Sequence, residues 1–357
     1  MLGERLKRAR LMAGLSLRAM GERMELSQTA IQKFERGILT PGSRDLLKLA
    51  KATGVKTEYF FRTSDVSLHG VEFRKKASLG KEAQEILVSM LTEQVERRAE
   101  LVSFFPTLPG ASFTLPADLP ERIRTPEDLE AAAEAMRRAW DLGQDPILDM
   151  VDALEQGGIW VFLLPEDAQG RMNGLCARAD GVPVVAVAET WPGDRQRFTL
   201  AHELGHLVLE GRLDPGLGLD QEKACHRFAG AFILPRAALA RELGTARRWV
   251  EWRELAALKV QFGLSMAACI FRARNLEIIS EETSSRLWVQ FSQLGWRKEE
   301  PVSIPKEQAH AFEQLVFHAL AEDLIGEAKA AELLGMSLVA FLAFRTPKVL
   351  DANPSHQ

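Results

Sequence analysis

The chain has 357 residues, 46% of them apolar and 26% charged. It is longer than one ordinary domain, and its balance of a core-building, water-soluble polypeptide excludes wholesale disorder and collagen-like or disulfide-scaffold classes. The net charge of −4 divides unevenly: residues 1–62 hold 13 Lys and Arg against six Asp and Glu, a net +7, which leaves −11 for the remainder. A basic head on an acidic body points to a polyanion such as DNA as the partner of the head. Cys176, Cys225 and Cys269 are widely spaced and fit reduced thiols, no stretch reaches the ~20 apolar residues of a bilayer span, and charges occupy the start of the chain. A cytoplasmic protein with no membrane partner is the expectation.

Residues 1–62 read as short helices over Glu4–Ala13, Leu17–Met24, Gln28–Arg36 and Arg44–Thr53, with a last short piece around Glu58–Phe61. Gly14 and Gly37 end the first and third, and Ser16 and Ser27 are placed to cap the second and third, because a hydroxyl accepts from the free N–H groups of a first turn. Leu6, Ala9, Leu17, Met20, Ile31, Phe34, Leu46, Leu47 and Leu49 are the expected core of this head. The second and third helices have the proportions of a helix-turn-helix, whose second member enters the major groove. Gln28, Thr29, Gln32 and Lys33 then face outward; Gln pairs bidentately with adenine and Thr reaches a thymine methyl. Arg18, Arg36 and Arg44 are better suited to phosphates.

Leu15-Ser-Leu-Arg-Ala-Met, Ser27-Gln-Thr-Ala-Ile-Gln-Lys-Phe-Glu-Arg-Gly and the run from Leu46 to Val55 resemble the Xre (lambda-repressor-like) DNA-binding domain over nearly all of 1–62. Arg18 stands where that family usually has glutamine, and Phe34 where it usually has tryptophan. The resemblance implies a double-stranded DNA operator as partner. Palindromic operators are met by dimers, so a homodimer is expected.

A connector follows over Thr63–Lys76, then a long helical stretch over Lys81–Phe105 with Ile86, Leu87, Met90, Leu91 and Val95 on its apolar side. Pro106, Pro109, Pro116, Pro120 and Pro126 crowd into the next 21 residues and forbid a helix there, which marks a domain boundary. Thr125-Pro126-Glu127-Asp128 starts a helix that runs to about Asp141. Gly158–Leu164 and Val182–Ala188 are β-rich, and Ala179-Asp180-Gly181 has hairpin-turn chemistry. Helices are expected over Arg195–Leu209, Glu222–Ile233, Val250–Phe262, Ser265–Asn275 and much of 306–344, and the final Ala-Asn-Pro-Ser-His-Gln as a loose tail.

His202-Glu203-Leu204-Gly205-His206 carries the chemistry. On a helix, residues i and i+4 share a face, so both imidazoles reach one spot and can bind one zinc ion. Glu203 lies about 100° round, too far aside to ligate but placed to take a proton from a water the ion acidifies. Phe198, Ala201, Leu204, Leu207 and Val208 form an apolar stripe beside the histidines and support the helix. A catalytic zinc needs a third protein ligand and an open position. Glu222, at the start of a helix whose Ala224, Phe228, Ala231 and Phe232 can pack on the first, is the preferred third ligand. His226 is either an alternative ligand or a neighbour that orients Glu222 or the water. Cys225 is a small core residue or, alternatively, a thiolate that reaches the zinc and silences it.

Phe198-Thr-Leu-Ala-His-Glu-Leu-Gly-His-Leu, the run from Glu222 to Pro235, and Leu258-Lys-Val-Gln-Phe-Gly-Leu-Ser-Met-Ala-Ala with Arg272 together resemble the ImmA/IrrE-type metallopeptidase family over roughly 125–280. The resemblance implies His202, His206 and Glu222 as zinc ligands and Glu203 as catalytic acid/base. It also implies site-specific cleavage of a DNA-binding repressor, with derepression as the outcome. A toxin–antitoxin partner, or the chain's own connector over 63–124, is an alternative substrate. The family often has Asn where this chain has His226. In the C-terminal region His310 and His318 lack an acidic partner nearby in sequence and read as surface or packing residues, and Ala330 to Leu342 faintly resembles a second helix-turn-helix without base readers, a packing or dimerisation element.

The expectation is a mainly α chain with a small β-sheet (α+β): an all-α helix-turn-helix head over 1–62, a helical connector and Pro-rich linker over 63–124, a zincin-like peptidase domain over 125–280, and a helical region over 281–357. Its function is that of a DNA-binding regulator with zinc endopeptidase activity. The alternative is a transcription factor whose peptidase-like domain senses and cuts nothing.

Overall fold

A computed structural model of the protein describes residues 2–62, 66, 68–73, 80–105, 112–165 and 174–346; Pro106, Pro109, much of the connector and the C-terminal tail lie outside the described residues. The fold is α+β, mainly helical with one small sheet. Two units divide it: residues 1–92 with 110–309, and residues 93–109 with 310–357.

The head comprises α1 (Leu2–Met12), α2 (Leu17–Met24), α3 (Gln28–Glu35) and α4 (Ser43–Thr53), closed by a 3-10 turn over Thr57–Phe61. Ser16 and Ser27 cap α2 and α3, their hydroxyls accepting from the N–H groups of Ala19 (3.0 Å) and Ala30 (3.2 Å). Leu6, Ala9, Met20, Ile31, Phe34 and Leu49 are buried, with Leu17 and Leu46 packed at their edge, and Tyr59 and Phe60 close the core from the 3-10 turn. Leu47 departs from expectation: it is 63% exposed, because Leu46, Leu49 and Ala50 set the inner face of α4 and Leu47 lies about 100° round from Leu46. Arg10 donates to both carboxylate oxygens of Glu35, at 2.5 and 3.0 Å, and ties α1 to the end of α3.

The connector holds a strand that its sequence did not announce, β1 (Leu68–Phe73), ahead of the long helix α5 (Lys81–Ser103). Then come α6 (Pro126–Ala139), α7 (Met150–Gln156), β2 (Trp160–Leu164), β3 (Leu175–Ala179) and β4 (Val182–Ala188). The sheet order is β1-β3-β4-β2. β3 and β4 form the expected hairpin, turned by Asp180 and Gly181 with φ of 47° and 91°, while β2 runs parallel to β4. β1 is antiparallel to β3, with Phe73 opposite Leu175, and its register shifts between His69 and Glu72.

After β4 the chain is helical: α8 (Gly193–Leu209), α9 (Gln221–Ile233), α10 (Arg236–Leu243), α11 (Trp252–Phe262), α12 (Met266–Asn275) and α13 (Glu281–Gln293). Leu200, Ala201, Leu204 and Val208 of α8 and Ala224, Phe228, Ala231 and Phe232 of α9 are buried in one core with α6, α7 and the sheet. Phe198 is again a departure. It is only half-buried and lies one turn before His202, on the histidine face rather than in the apolar stripe. In the second unit, α14 (Ala311–Ala321), α15 (Glu327–Leu333) and α16 (Leu338–Arg345) bury Val316, Ala319, Ala330, Ala331, Leu333 and Phe341 with Leu101 of α5. The His318 ring lies 5.2 Å from that of Phe105. α14 begins only at Ala311, so residues 306–310, expected as helical, belong to an irregular strap that runs from Glu299.

Buried ion pairs tie these elements together. Arg272 of α12 grips both carboxylate oxygens of Glu130 on α6 and donates from Nε to the Leu234 carbonyl (2.9 Å). Arg137, buried on α6, donates to the carbonyls of Phe232 (2.6 Å) and Gly143 (2.7 Å), and burial lowers its pKa to about 10. Glu307 of the strap pairs with Arg197 and accepts from the Met150 N–H (2.6 Å). Lys259 of α11 sits between Asp194 (2.9 Å) and Glu300 (2.8 Å), and Glu300 in turn accepts from the free N–H groups of Met266 and Ala267 at the start of α12. Burial by itself disfavours the Lys259 ammonium, but the hydrogen bonds and charges of Glu300 and Asp194 outweigh it and hold its pKa above the ordinary value. A raised pKa contributes stability that is fully present below the unfolded value of about 10.4 and is lost as pH rises through the folded one. Lys259→Met leaves two buried carboxylates unneutralised and is expected to cost about 3–5 kcal/mol at pH 7, read as a lower urea midpoint at unchanged m-value. An unchanged midpoint would show that the two acids do not need it.

Candidate metal centre and DNA-facing head

The sequence places two imidazoles one turn apart on α8, and the fold aims a carboxylate from α9 at them. Asp220 caps α9, its carboxylate accepting from the Lys223 N–H (2.8 Å), and Glu222 therefore stands in the first turn. Gly205 lets the helices close: a Cβ there would lie 3.1 Å from Phe228 Cδ1 and 3.3 Å from Cys225 Cβ.

Three residues converge, and one donor atom from each lies within 4.8 Å of the others. His202 Nε2 and His206 Nε2 are 3.1 Å apart, Glu222 Oε2 is 3.5 Å from the former, and Glu222 Oε1 is 3.4 Å from the latter. Four ligands around zinc at about 2.0–2.1 Å subtend edges of about 3.3–3.4 Å, and the two imidazole–carboxylate approaches, each made to a different oxygen of Glu222, are close to that edge. Two neutral imidazoles and a carboxylate are also the donor set that zinc prefers among biological cations. The residues fit the ion. His202 is 1% exposed, His206 19% and Glu222 56%, so the triangle is buried behind and open on the Glu222 side, where a further position faces solvent.

Neighbours fix the rings. Gln221 Nε2 lies 3.2 Å from His206 Nδ1, so the amide N–H faces that ring nitrogen. The Nδ1–H tautomer that leaves the Nε2 lone pair to a metal needs this amide turned end for end, with its oxygen toward Nδ1. His202 Nδ1 is buried without a hydrogen-bond partner among the described residues, and that ring is held by packing, 4.5 Å from the His226 ring and 6.4 Å from Phe198. His226 is exposed, stacks on Phe198 at 5.6 Å, and lies outside the group of three converging donors. Cys225 is fully buried against Gly205, also outside that group.

Glu203 is 2% exposed and borders Gly174, just before β3. A Cβ at Gly174 would overlap the Glu203 carboxylate and sit 2.7 Å from the Thr199 methyl, so any larger residue there would push both side chains from their places. Sequence reasoning missed both Gly174 and Gln221. Gln221 carried a local signal, standing beside the candidate third ligand, whereas Gly174 is 29 residues from Glu203 and is brought there only by the sheet.

On the head, Gln28, Thr29, Lys33, Arg36 and Arg44 are exposed and Gln32 is half-buried. Arg18 is exposed and paired with Glu22 at 2.9 Å, so a phosphate there has a carboxylate to displace.

The packed helix pair that carries the His-His-Glu cluster and the capped helix pair of the head lie in two different regions of the chain. The sequence comparisons agree: the IrrE N-terminal-like domain, a peptidase family, matches residues 154–274, and the helix-turn-helix family matches residues 6–60. The chain is therefore a fusion of an Xre-like helix-turn-helix domain with an IrrE/ImmA-like domain. No curated protein and no solved structure matches it.

Purified full-length protein, dialysed against zinc and then metal-free buffer, is expected to retain one zinc per chain by elemental analysis. His202→Ala, His206→Ala and Glu222→Ala should each lose it, and Glu203→Gln should keep it. Retention by all three ligand variants would place the ion elsewhere.

Proposed function

We propose that this DNA-binding regulator is a zinc endopeptidase that cuts a repressor or antitoxin-type protein and thereby relieves repression. The observation that carries the reading is the triangle of His202, His206 and Glu222 donor atoms with the buried Glu203 carboxylate one helix position from His202. His202, His206 and Glu222 would hold the zinc, which when bound lowers the pKa of water and polarises a carbonyl. Glu203 accepts a proton from the attacking water and returns it to the departing amine, so the carboxylate ends as it began. Burial favours this role, because a carboxylate screened from bulk solvent exchanges its proton with the reacting groups. Gly174 keeps the neighbouring backbone from displacing that carboxylate.

Glu203→Gln is expected to keep zinc and to lower cleavage of the cognate protein by at least about a hundredfold, the usual contribution of a general base. Loss of cleavage with loss of derepression supports the reading. Unchanged derepression in this variant would favour a domain that senses a ligand and cuts nothing.

One observation favours the chain's own connector as a second substrate: β1, drawn from the connector, pairs with β3 so that Phe73 lies opposite Leu175, the neighbour of Gly174. Self-cleavage predicts head-sized and body-sized fragments in zinc-loaded wild type but not in Glu203→Gln, with a rate independent of protein concentration. Fragments whose formation accelerates with concentration would show cutting between molecules.

The head reads the operator through Gln28, Thr29, Gln32 and Lys33, with Arg18, Arg36 and Arg44 on phosphates. Gln28→Ala and Gln32→Ala are expected to cost about 1–3 kcal/mol on the specific site and little on random DNA. Arg44→Ala should weaken both alike and reduce the salt slope by about one. Equal losses of specific and random binding in all three variants would remove the glutamines from base reading.

A further inference from the structure

We propose that the cleft beside the metal cluster is a peptide subsite for an acidic side chain, so that the protein cut at this centre carries Glu or Asp within a few residues of the scissile bond. The inference rests on the peptidase reading and names its substrate class.

The cleft, about 670 Å³, lies between α8, α9 and α12. That volume falls in the range that takes ligands, and it exceeds one side chain. It adjoins the metal cluster: His226, in its lining, has its ring 4.5 Å from that of His202, and two helices lead from one to the other. On α8, Phe198 lines it four residues before His202; on α9, Lys223 and Arg227 line it one and five residues after Glu222. Four helical residues span about 6 Å and one residue of extended peptide about 3.3 Å, so a chain held at the metal places its side chain one or two residues along in the cleft.

The lining combines apolar surface with an excess of cations. Phe198, Leu219 and Phe271 supply the apolar walls, and Lys223, Arg227 and Arg274 reach the same space. Asp194 is the single acid in the lining and is already held by Lys259 at 2.9 Å. Behind the wall one carboxylate, Glu130, serves two guanidiniums, those of Arg272 and Arg227, the latter at 3.7 Å. Among the described residues, the carboxylates that pair with Lys223 and Arg274 are Asp220 at 3.3 Å and Glu281 at 3.4 Å, each more than half exposed, and Arg274 also lies over the Phe271 ring at 5.1 Å. Such pairs are worth little and yield readily to a better-desolvated carboxylate. A glutamate side chain, with an apolar stem and an anionic end, matches both halves of this lining. Duplex DNA does not, because its phosphates lie on a convex rod that cannot enter a concave, aromatic-walled cleft.

The experiment uses full-length, zinc-loaded Glu203→Gln protein, immobilised and offered N-acetylated, C-amidated octapeptide pools with Glu, Gln or Lys fixed at one position among neutral residues. Retained peptide is measured by mass spectrometry at 50 and 500 mM NaCl. The Glu pool is expected to be retained at least about fivefold over the Gln pool, the Lys pool least, with the ratio falling at high salt. Adding Lys223→Glu and Arg274→Glu should reverse the order in favour of Lys, at an unchanged melting temperature. Should that charge reversal unfold the chain, Lys223→Gln alone must still lower the Glu:Gln ratio. Equal retention of the pools, or an order that ignores both variants and salt, overturns the proposal. The two readings fail separately. Selective Glu retention with no pool cleaved by zinc-loaded wild type would sink the peptidase and leave the subsite, whereas cleavage indifferent to charge would do the reverse.

Discussion

The close approach of α8 to α9 at Gly205 sets the position of everything the metal centre needs. With only a hydrogen at that position, Phe228 and Cys225 of α9 lie against the α8 backbone, and Ala201, Leu204 and Val208 bury their side chains on the same contact. The two helices then have one polar corner left between them, and His202, His206 and Glu222 fill it with donor atoms 3.1–3.5 Å apart. The apolar contact beneath holds the two helices together, so the fold itself brings the candidate ligands to one corner. A larger residue at 205 would press on Phe228 and Cys225, which stand on the helix that carries Glu222.

The parts of this arrangement that could be read from the sequence are those encoded within one element. The i, i+4 histidines announce a shared helical face, Ser16 and Ser27 announce their helices by side chains that can accept from a first turn, and Asp180-Gly181 announces a hairpin. Glu222 was accessible because it opens a helix with its own apolar stripe. What depends on chain segments meeting was not legible. Gly174 looks like any loop glycine until β3 carries it to Glu203, and Arg272 looks like a surface cation until α12 buries it against Glu130, 142 residues away. β1 is six residues long and acquires meaning only from the free edge of β3. Phe198 and Leu47 were misplaced for a related reason: helical periodicity fixes which residues share a face, but the boundary of the buried sector is set by what packs against it.

That β1 comes from the connector changes how the two functions are joined. A flexible tether would leave the head and the peptidase-type domain independent. Here the chain leaving the head supplies an edge strand of the sheet that precedes α8, with the end of β1 opposite the residue next to Gly174. The register shift between His69 and Glu72 interrupts the ladder, and an interrupted edge strand is weaker than a regular one. The β1–β3 pairing and the surroundings of Glu203 are therefore adjacent in space, joined through Leu175 and Gly174.

The distribution of buried charge follows from the same need for an open corner. Lys259 with Asp194 and Glu300, and Arg197 with Glu307, gather around the first turns of α8, the end from which the cleft opens. Apolar packing of that end would require filling the space between α8 and α12. Ion pairs fix backbone positions at longer reach: Glu300 holds the N–H groups of Met266 and Ala267, and Glu307 holds that of Met150, both from a strap with no regular structure. Buried pairs of this kind contribute modestly to net stability compared with well-packed apolar residues, but they are intolerant of losing a partner. They therefore specify one arrangement of α8, α11 and α12 around a cavity that the hydrophobic effect, acting alone, would tend to collapse.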